Sequence, residues 1–436
     1  MPRLKIVPKH EDRNGWWETL PPPAPANVLK GERRVHTVIV GAGVCGLAVA
    51  HQLGRHCPDS EIALVEAERV GFGASGRNAG FLLNVHSHGP PKRTDILRRN
   101  IRLWESGLSD LRGMVRAFQI DCGWHEFGRI YGSAGPDGER HIERIATTLE
   151  QLGLNRRWMS RDEMEERIGT KFYKRGLYTS GSALVNPAAL MRGMARHLPL
   201  NVSLYEQTPV VGFETETHAY VVETEAGRML SDRLVLAAGV YLRQFGIAPG
   251  RYVPMTTYAS MTDPLAEDAL ALLGTGKPFG LLASSENGAT IRLTDDNRLF
   301  VRNLFKFNPN SPTPAPRVCE IGKLHRKGML NRWPGLKGAG FSHSWGGTMA
   351  FTWNDGAVFG EFAPGLYAVL TNDVSPMTRG AAAGRLLADL MEGRDSELLR
   401  LQLEIPSASR LPPRPFLDIG IEIRRGLLQA AARKEF

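Results

Sequence analysis

The spacing of apolar positions along this 436-residue chain changes period several times, and each change predicts an element. Residues 36–40 form a short β-branched run (His36, Thr37, Val38, Ile39, Val40). Gly41, Gly43 and Gly46 follow it directly, so the glycines fall where a strand turns into a helix over 47–53. After the loop at Cys57, Pro58, Asp59 and Ser60, residues 61–66 read as a second strand ending in Glu66. Over 91–120, the positions Ile96, Ile101, Leu103, Trp104, Leu108 and Leu111 have helical spacing, whereas 122–134 turns strand-like, punctuated by Gly123, Gly128 and Gly132. Residues 140–153 read as a further amphipathic helix, and Pro187 opens another over 188–197, because proline is tolerated at a first helical position. Strand runs at 202–205, 210–213, 220–223 and 233–239 are read as a second parallel unit. The last is wholly apolar and ends in small residues, as suits a buried strand whose carboxyl end meets a ligand. From 251 to 345 alternation dominates, with a hairpin expected over 290–303 around Asp295, Asp296 and Asn297, and the segment is read as an antiparallel platform. A strand at 365–370 and a helix at 380–391 return to the pattern of the first unit.

This order divides the chain. Residues 1–30, rich in proline, are expected to form an N-terminal arm anchored by Trp16 and Trp17. Residues 31–112, 176–245 and 345–436 make a discontinuous dinucleotide-binding domain, and 113–175 with 246–344 make a substrate domain. A hydrophobic share of 42% with 23% charged residues is that of an ordinary globular protein. The most apolar runs, 38–50 and 234–242, are too short to cross a bilayer, and the start lacks a secretory signal pattern, so a cytoplasmic location is expected. The four cysteines, at 45, 57, 122 and 319, show no metal or disulfide spacing, so no metal site is expected. The net charge of +9 comes from scattered arginines without interleaved aromatics, which argues against a nucleic-acid partner. It leaves two readings open, a solvated basic surface or attraction of a carboxylate substrate.

The glycine turn carries the first chemistry. Gly41 permits the tight turn, Gly43 the approach of phosphates and Gly46 close packing of helix on strand, while the helix amino end, through the Val44 and Cys45 region, faces the anion. Glu66 stands twenty residues beyond Gly46, where a carboxylate accepts from a ribose diol and repels a 2′-phosphate, so NADP is disfavoured. Gly73, Ala74, Ser75 and Gly76 form a run whose amides can face a phosphate, with a hydroxyl from Ser75; Arg77 and Asn78 follow.

In this order the Trp16–Trp17 pair, the 41–46 turn, Glu66 with Ala67, the 71–80 segment, Val185 to Pro187, 234–239, 292–298 and 384–389 resemble the FAD-dependent amine and amino-acid oxidoreductases of the D-amino-acid oxidase superfamily. That superfamily contains the glycine and sarcosine oxidase group, and the closest look is to its γ-glutamylputrescine oxidoreductase-like branch. The likeness implies an α/β fold, with a Rossmann-type FAD-binding domain plus a smaller α+β substrate domain built on an antiparallel sheet. It also implies FAD held without a covalent link, by Gly41, Gly43, Val44, Cys45, Gly46, Glu66, Ala67, Gly73, Ala74, Ser75, Arg77, Asn78, Ala79 and Gly80. Val210 would hold the adenine by its backbone, Ala238 and Gly239 would sit close to the cofactor, and Asp373, Val374, Ser375, Met377 and Thr378 would meet the flavin ring. Gly347 stands where sarcosine oxidases carry the cysteine that attaches the flavin. The sequence departs from those enzymes in two further places: Thr378 replaces their lysine for the substrate carboxylate, and Phe300 replaces the lysine credited with oxygen activation. Either oxygen is not the acceptor, or another cation serves it.

For the substrate, Arg302 and Lys306 on the platform are candidate carboxylate anchors, because a guanidinium fork matches a carboxylate in two hydrogen bonds. Tyr258 and Trp345 are candidate walls, and His343 a group that tunes the amine proton; His86 and His88 are weaker candidates. Each also has a structural reading, as solvated charge, core aromatic or hydrogen-bonded histidine. The expected activity is oxidation of a secondary amine or amino acid carrying a carboxylate, iminodiacetate-like or N-alkylglycine-like, with O2 as acceptor and H2O2 as product. The alternatives are a dehydrogenase that uses a quinone or carrier protein, a flavin-binding subunit without turnover, and a nicotinamide dehydrogenase.

Overall fold

The computed structural model describes residues 4, 8, 10, 13–85, 93–216, 219–285, 287–308, 315–372, 376–431 and 435. The β-branched run becomes the inner half of the strand Gly31–Val40, at the centre of a sheet with eight strands among the described residues. Leu366–Leu370, Gly227–Leu236, Gly31–Val40, Ile62–Val65 and Val202–Tyr205 lie side by side and parallel. Alternate residues of these strands enter two different cores. Ile39, Leu64, Val235 and Val369 pack beneath the helices Val44–His56, Pro187–Arg196 and Pro376–Met391, and Val38, Ala63, Leu234 and Ala368 pack on the other face. Burial on both faces explains why these strands are continuously apolar.

The expected second parallel unit is corrected in part. Val210–Glu216, Ala219–Thr224 and Gly227–Leu236 form an antiparallel meander, and only the last of them also joins the parallel core. The reason is connection length: between Thr224 and Gly227 the chain turns in two residues, fixed by the Thr224 hydroxyl accepting from the Gly227 amide at 3.0 Å, and a parallel crossover needs a dozen residues or more.

A second sheet is the platform. Its order is Phe341–Phe351, Val253–Thr262, Leu299–Phe307, Thr290–Leu293, Phe279–Ala283, Arg129–Ser133, Arg175–Thr179 and Arg157–Met159, antiparallel except where Phe279–Ala283 meets Arg129–Ser133. The hairpin at Asp295 to Asn297 lies where its spacing places it, with Leu293 opposite Leu299. Residues 176–179 and 345–351, at the edges of segments expected in the dinucleotide-binding domain, pair in the platform. In the arm, Trp16 is 3% exposed and stacks on Phe300 at 5.0 Å, so that its indole is core to the junction of the sheets. Among the described residues no helix is long and apolar enough to cross a membrane, and no cluster of His, Cys, Asp or Glu could hold a metal ion.

Candidate active site

Three chain segments converge at the carboxyl ends of the parallel strands. Gly41 has a φ of +100°, and a Cβ there would lie 2.7 Å from the Ala237 carbonyl, so the turn and the end of Gly227–Leu236 touch through backbone. A Cβ on Gly46 would fall 1.8 Å from the Gly41 carbonyl, which only glycine allows. Glycines on the neighbouring helix extend this fit: a Cβ on Gly384 would reach 2.3 Å from the Cys45 carbonyl, and one on Gly380 would come 2.5 Å from Val44. Cys45 is thereby a half-buried packing residue in the turn. At the strand end, Ala238 and Gly239 are half-buried, and a Cβ on Gly239 or Gly73 would meet nothing within 4 Å.

Glu66 sits at the edge of this open cradle. Its carboxylate accepts the amides of Ala42 at 2.9 Å and Glu68 at 3.1 Å, which leaves lone pairs for a diol. Burial pushes its carboxyl above the usual range, with those two amides pulling the other way. The Ser75 hydroxyl accepts the Val44 amide at 3.0 Å, which fastens the second small-residue loop to the first helix. Val210, 6% exposed, begins the meander strand and packs in the core of the first sheet.

The loop through Arg77, Asn78 and Ala79 joins this groove to a cavity of about 820 Å³ between the sheets. Arg77 is buried, donates to the Phe72 and Gly346 carbonyls at 2.7 and 2.9 Å, and has its own carbonyl bonded by the Trp345 indole at 3.0 Å. The Trp16 indole donates to the Asn78 carbonyl at 2.9 Å, and Arg292 donates to Ala79 and Val185 carbonyls at 2.7 and 2.8 Å. Every carbonyl from 77 to 79 is thus held by a large side chain, so the loop is preorganised. Gly347 stands on the cavity wall, where a Cβ would meet Arg77 at an ordinary 3.4 Å.

Among the candidates for the substrate, Arg302 and Tyr258 reach the cavity, and Lys306, His343 and Trp345 do not. Leu304 is the physical reason for the split between Arg302 and Lys306. It has a φ of +63° at a register shift, with Asn303 opposite Tyr258 and Phe305 opposite Thr257. This bulge puts one extra residue in the strand and turns Phe305, rather than Lys306, to the face of Arg302. Phe305 accordingly stacks on Arg302 at 5.2 Å, and Lys306 is exposed. Among the described residues no side-chain hydrogen bond or ion pair engages Arg302, and burial lowers its pKa to about 10. His343 instead pairs with Glu18 of the arm at 3.3 Å, and Trp345 is a core aromatic beneath Trp16.

On the helix Pro376–Met391, Pro376 and Arg379 face the cavity one turn apart, whereas Met377 and Thr378 point into the protein, the Thr378 hydroxyl donating to the Leu83 carbonyl at 2.8 Å. Asp373, Val374 and Ser375, like His86 and His88, lie outside the described residues. A polar cluster that sequence reasoning missed completes this wall. Asp355 accepts from the Asn372 amide at 2.6 Å and from Arg379 at 3.0 Å, and the buried Asn372 Oδ1 has no partner among the described residues. Asp355 lies at a φ of +56°, and its only sequence signal is the Asn354, Asp355, Gly356 turn triplet. An open glycine cradle, an acidic edge and an unpartnered amide oxygen at the far wall fit an adenine dinucleotide with a ring extending into the cavity.

Comparison with known proteins agrees with this geometry. The family model described as "FAD dependent oxidoreductase" (DAO) matches residues 36–390. The chain is 26% identical to the probable oxidoreductase OrdL of Rhizobium meliloti over 90% of its own length and 91% of that protein. It is also 26% identical to the gamma-glutamylputrescine oxidoreductase of Escherichia coli, with 90% of each chain covered. Among solved structures, glycine oxidase from Geobacillus kaustophilus superposes with a TM-score of 0.71 at 21% identity, over 87% of this chain and 100% of that one.

Proposed function

Because the chain belongs to the DAO family of FAD-dependent oxidoreductases and acts on amines or amino acids, we propose that its substrate is a secondary amine or amino acid whose carboxylate is held by Arg302. The observation that carries this reading is the guanidinium itself, on the cavity wall beside the Phe305 ring and, among the described residues, without a hydrogen-bond or ion-pair partner. Arg302 is half-buried on this wall, and a substrate carboxylate would give its guanidinium two charge-assisted hydrogen bonds.

When bound, FAD supplies the hydride acceptor for the carbon next to nitrogen. The chain's own groups do the rest. Arg302 and the Phe305 ring fix one end of the substrate, and Met255, Met349 and Phe351 exclude water around the other. The amino end of Pro376–Met391 would stabilise negative charge developing at that wall, where Arg379 is already paired with Asp355. Arg77, pinned by two carbonyls, keeps the loop beneath the reacting groups rigid. Attachment of FAD without a covalent bond is supported by Gly347 and by the absence of any of the four cysteines from the cavity wall.

Oxygen is the proposed acceptor. The quinone or carrier-protein reading keeps one observation in its favour, since Phe300 is fully buried in an aromatic stack where the related oxidases bring a lysine. Reoxidation of the reduced enzyme in air separates the two: recovery of flavin colour within seconds, with peroxide, supports oxygen, and colour absent after minutes rejects it.

The test of the substrate class is anaerobic bleaching of the flavin by matched amines with and without a carboxylate. Arg302→Met should raise the concentration needed for half-bleaching about 30-fold or more for the carboxylated amines alone. Equal bleaching by the uncharged amines in the unmodified enzyme would remove the carboxylate from the proposal.

A further inference from the structure

The matched family segment ends at residue 390, yet the chain continues into a helix, Phe416–Ala431, that lies over the same cavity as Arg302. Leu417, Gly420, Ile421 and Leu428, spaced for one helix face, line that cavity from above. Leu417, Ile421 and Leu428 are half-buried on the cavity side, and on the far side Ile419, Ile423 and Leu427 are exposed.

Both ends are fastened to the platform. Before the helix, the Leu411 amide donates to the Gly250 carbonyl at 2.8 Å, and Arg414 stacks on Phe307 at 5.6 Å. Beyond it, Glu435 is 3% exposed inside the platform domain. Its carboxylate accepts the Ala134 and Ser285 amides at 3.1 and 2.8 Å and the Ser284 hydroxyl at 3.0 Å, while its carbonyl accepts from the Ala289 amide at 3.1 Å and Arg332 at 2.8 Å. The receiving site is shaped for it, because a Cβ on Gly138 would fall 2.1 Å from Glu435 Oε1. Five donors around one residue near the chain terminus make a clasp.

We infer that the C-terminal helix is the substrate-selecting wall of the cavity, clasped in place by Glu435, and that the substrate is a carboxylate bearing an extended apolar chain. This rests on the proposed role of Arg302, which holds the carboxylate while the chain lies against Leu417, Ile421 and Leu428. The two arginines of the helix near the cavity do not contradict an apolar wall: Arg424 is exposed and stacks on Trp353 at 5.8 Å, and Arg425 is paired with Glu422. Glu435 acts as a positioning residue, since it touches the platform and not the cavity.

The experiment is a titration of the FAD-loaded full chain with straight-chain carboxylic acids from acetate to octanoate. Binding is read by perturbation of the flavin spectrum, and hydrogen exchange is followed across 416–431. Affinity should rise roughly threefold to fourfold for each methylene that reaches the helix, and octanoate should slow exchange there. Ile421→Gln, a helix-compatible change on the wall, and Glu435→Ala, which opens the clasp, should each flatten the rise with chain length, and the second should also speed exchange in 416–431. A rise that is absent, or unchanged in both variants, overturns the wall. Arg302→Met separates this from the reading beneath it: if it leaves acetate and octanoate binding alike, the carboxylate anchor fails, whatever the chain-length dependence.

Discussion

Among the described residues no carboxylate pairs with Arg302, and its setting gives a pH signature. With burial lowering its pKa to about 10, the free enzyme keeps the guanidinium protonated through neutral pH. Affinity for a carboxylate ligand should be flat from about pH 6 to about pH 9 and fall about tenfold per unit above roughly pH 10. Arg302→Lys should move that break, whereas a break unchanged in Arg302→Met would assign it elsewhere. Two buried histidines act on stability. His325 is lowered to about 3, by burial first and then by the Arg302 charge, and His51 to about 4 by burial. Each is neutral when folded and takes up a proton when unfolded below about pH 6.5, so stability falls as pH drops through that window, by about 1.4 kcal/mol per pH unit per histidine. Denaturant unfolding at several pH values checks this, and His325→Gln should remove about half of the slope.

Between elements, glycine contacts are where sequence and site are most tightly joined. Gly384→Ala would drive a methyl to 2.3 Å from the Cys45 backbone, so the helix Pro376–Met391 must move off Val44–His56. A cost of about 2–3 kcal/mol is expected, together with weaker FAD retention, because the glycine turn moves with its helix. Gly347→Ala, with its contact at 3.4 Å, should leave the melting temperature within a few degrees. The arm supplies the contrasting case. Trp16→Ala removes the Phe300 stack, the Arg292 contact at 5.1 Å and the bond to the Asn78 carbonyl, which calls for a loss of about 3–5 kcal/mol. Faster FAD release on dilution would show that the loss reaches the 77–79 loop. The bulge at Leu304 shows the limit of reading elements from sequence, because alternation places residues 302 and 306 on one face and a single inserted residue separates them.

For the whole molecule, the cradle belongs to one sheet and the cavity to both, so ligand binding and folding are coupled. FAD at 100 times its dissociation constant should stabilise the protein by about 2.7 kcal/mol, visible as a raised melting temperature, and NADP should not. The expected discrimination rests on Glu66, whose carboxylate would repel a 2′-phosphate, and Glu66→Ala should weaken it.

The parallel core, the glycine turn, the acidic edge and the anchoring tryptophans were legible in the sequence because they rest on local rules: periodicity, backbone freedom at glycine and fixed spacing from turn to carboxylate. What stood in the cavity was decided by tertiary structure. Asp355, Asn372 and Arg379 meet only because a turn and a helix end are brought together, and Met377 and Thr378 turn away because the helix presents one face. Glu435 finds its five donors between 103 and 301 residues away in sequence. Such contacts depend on register and closure over long separations, which no local pattern of residues encodes.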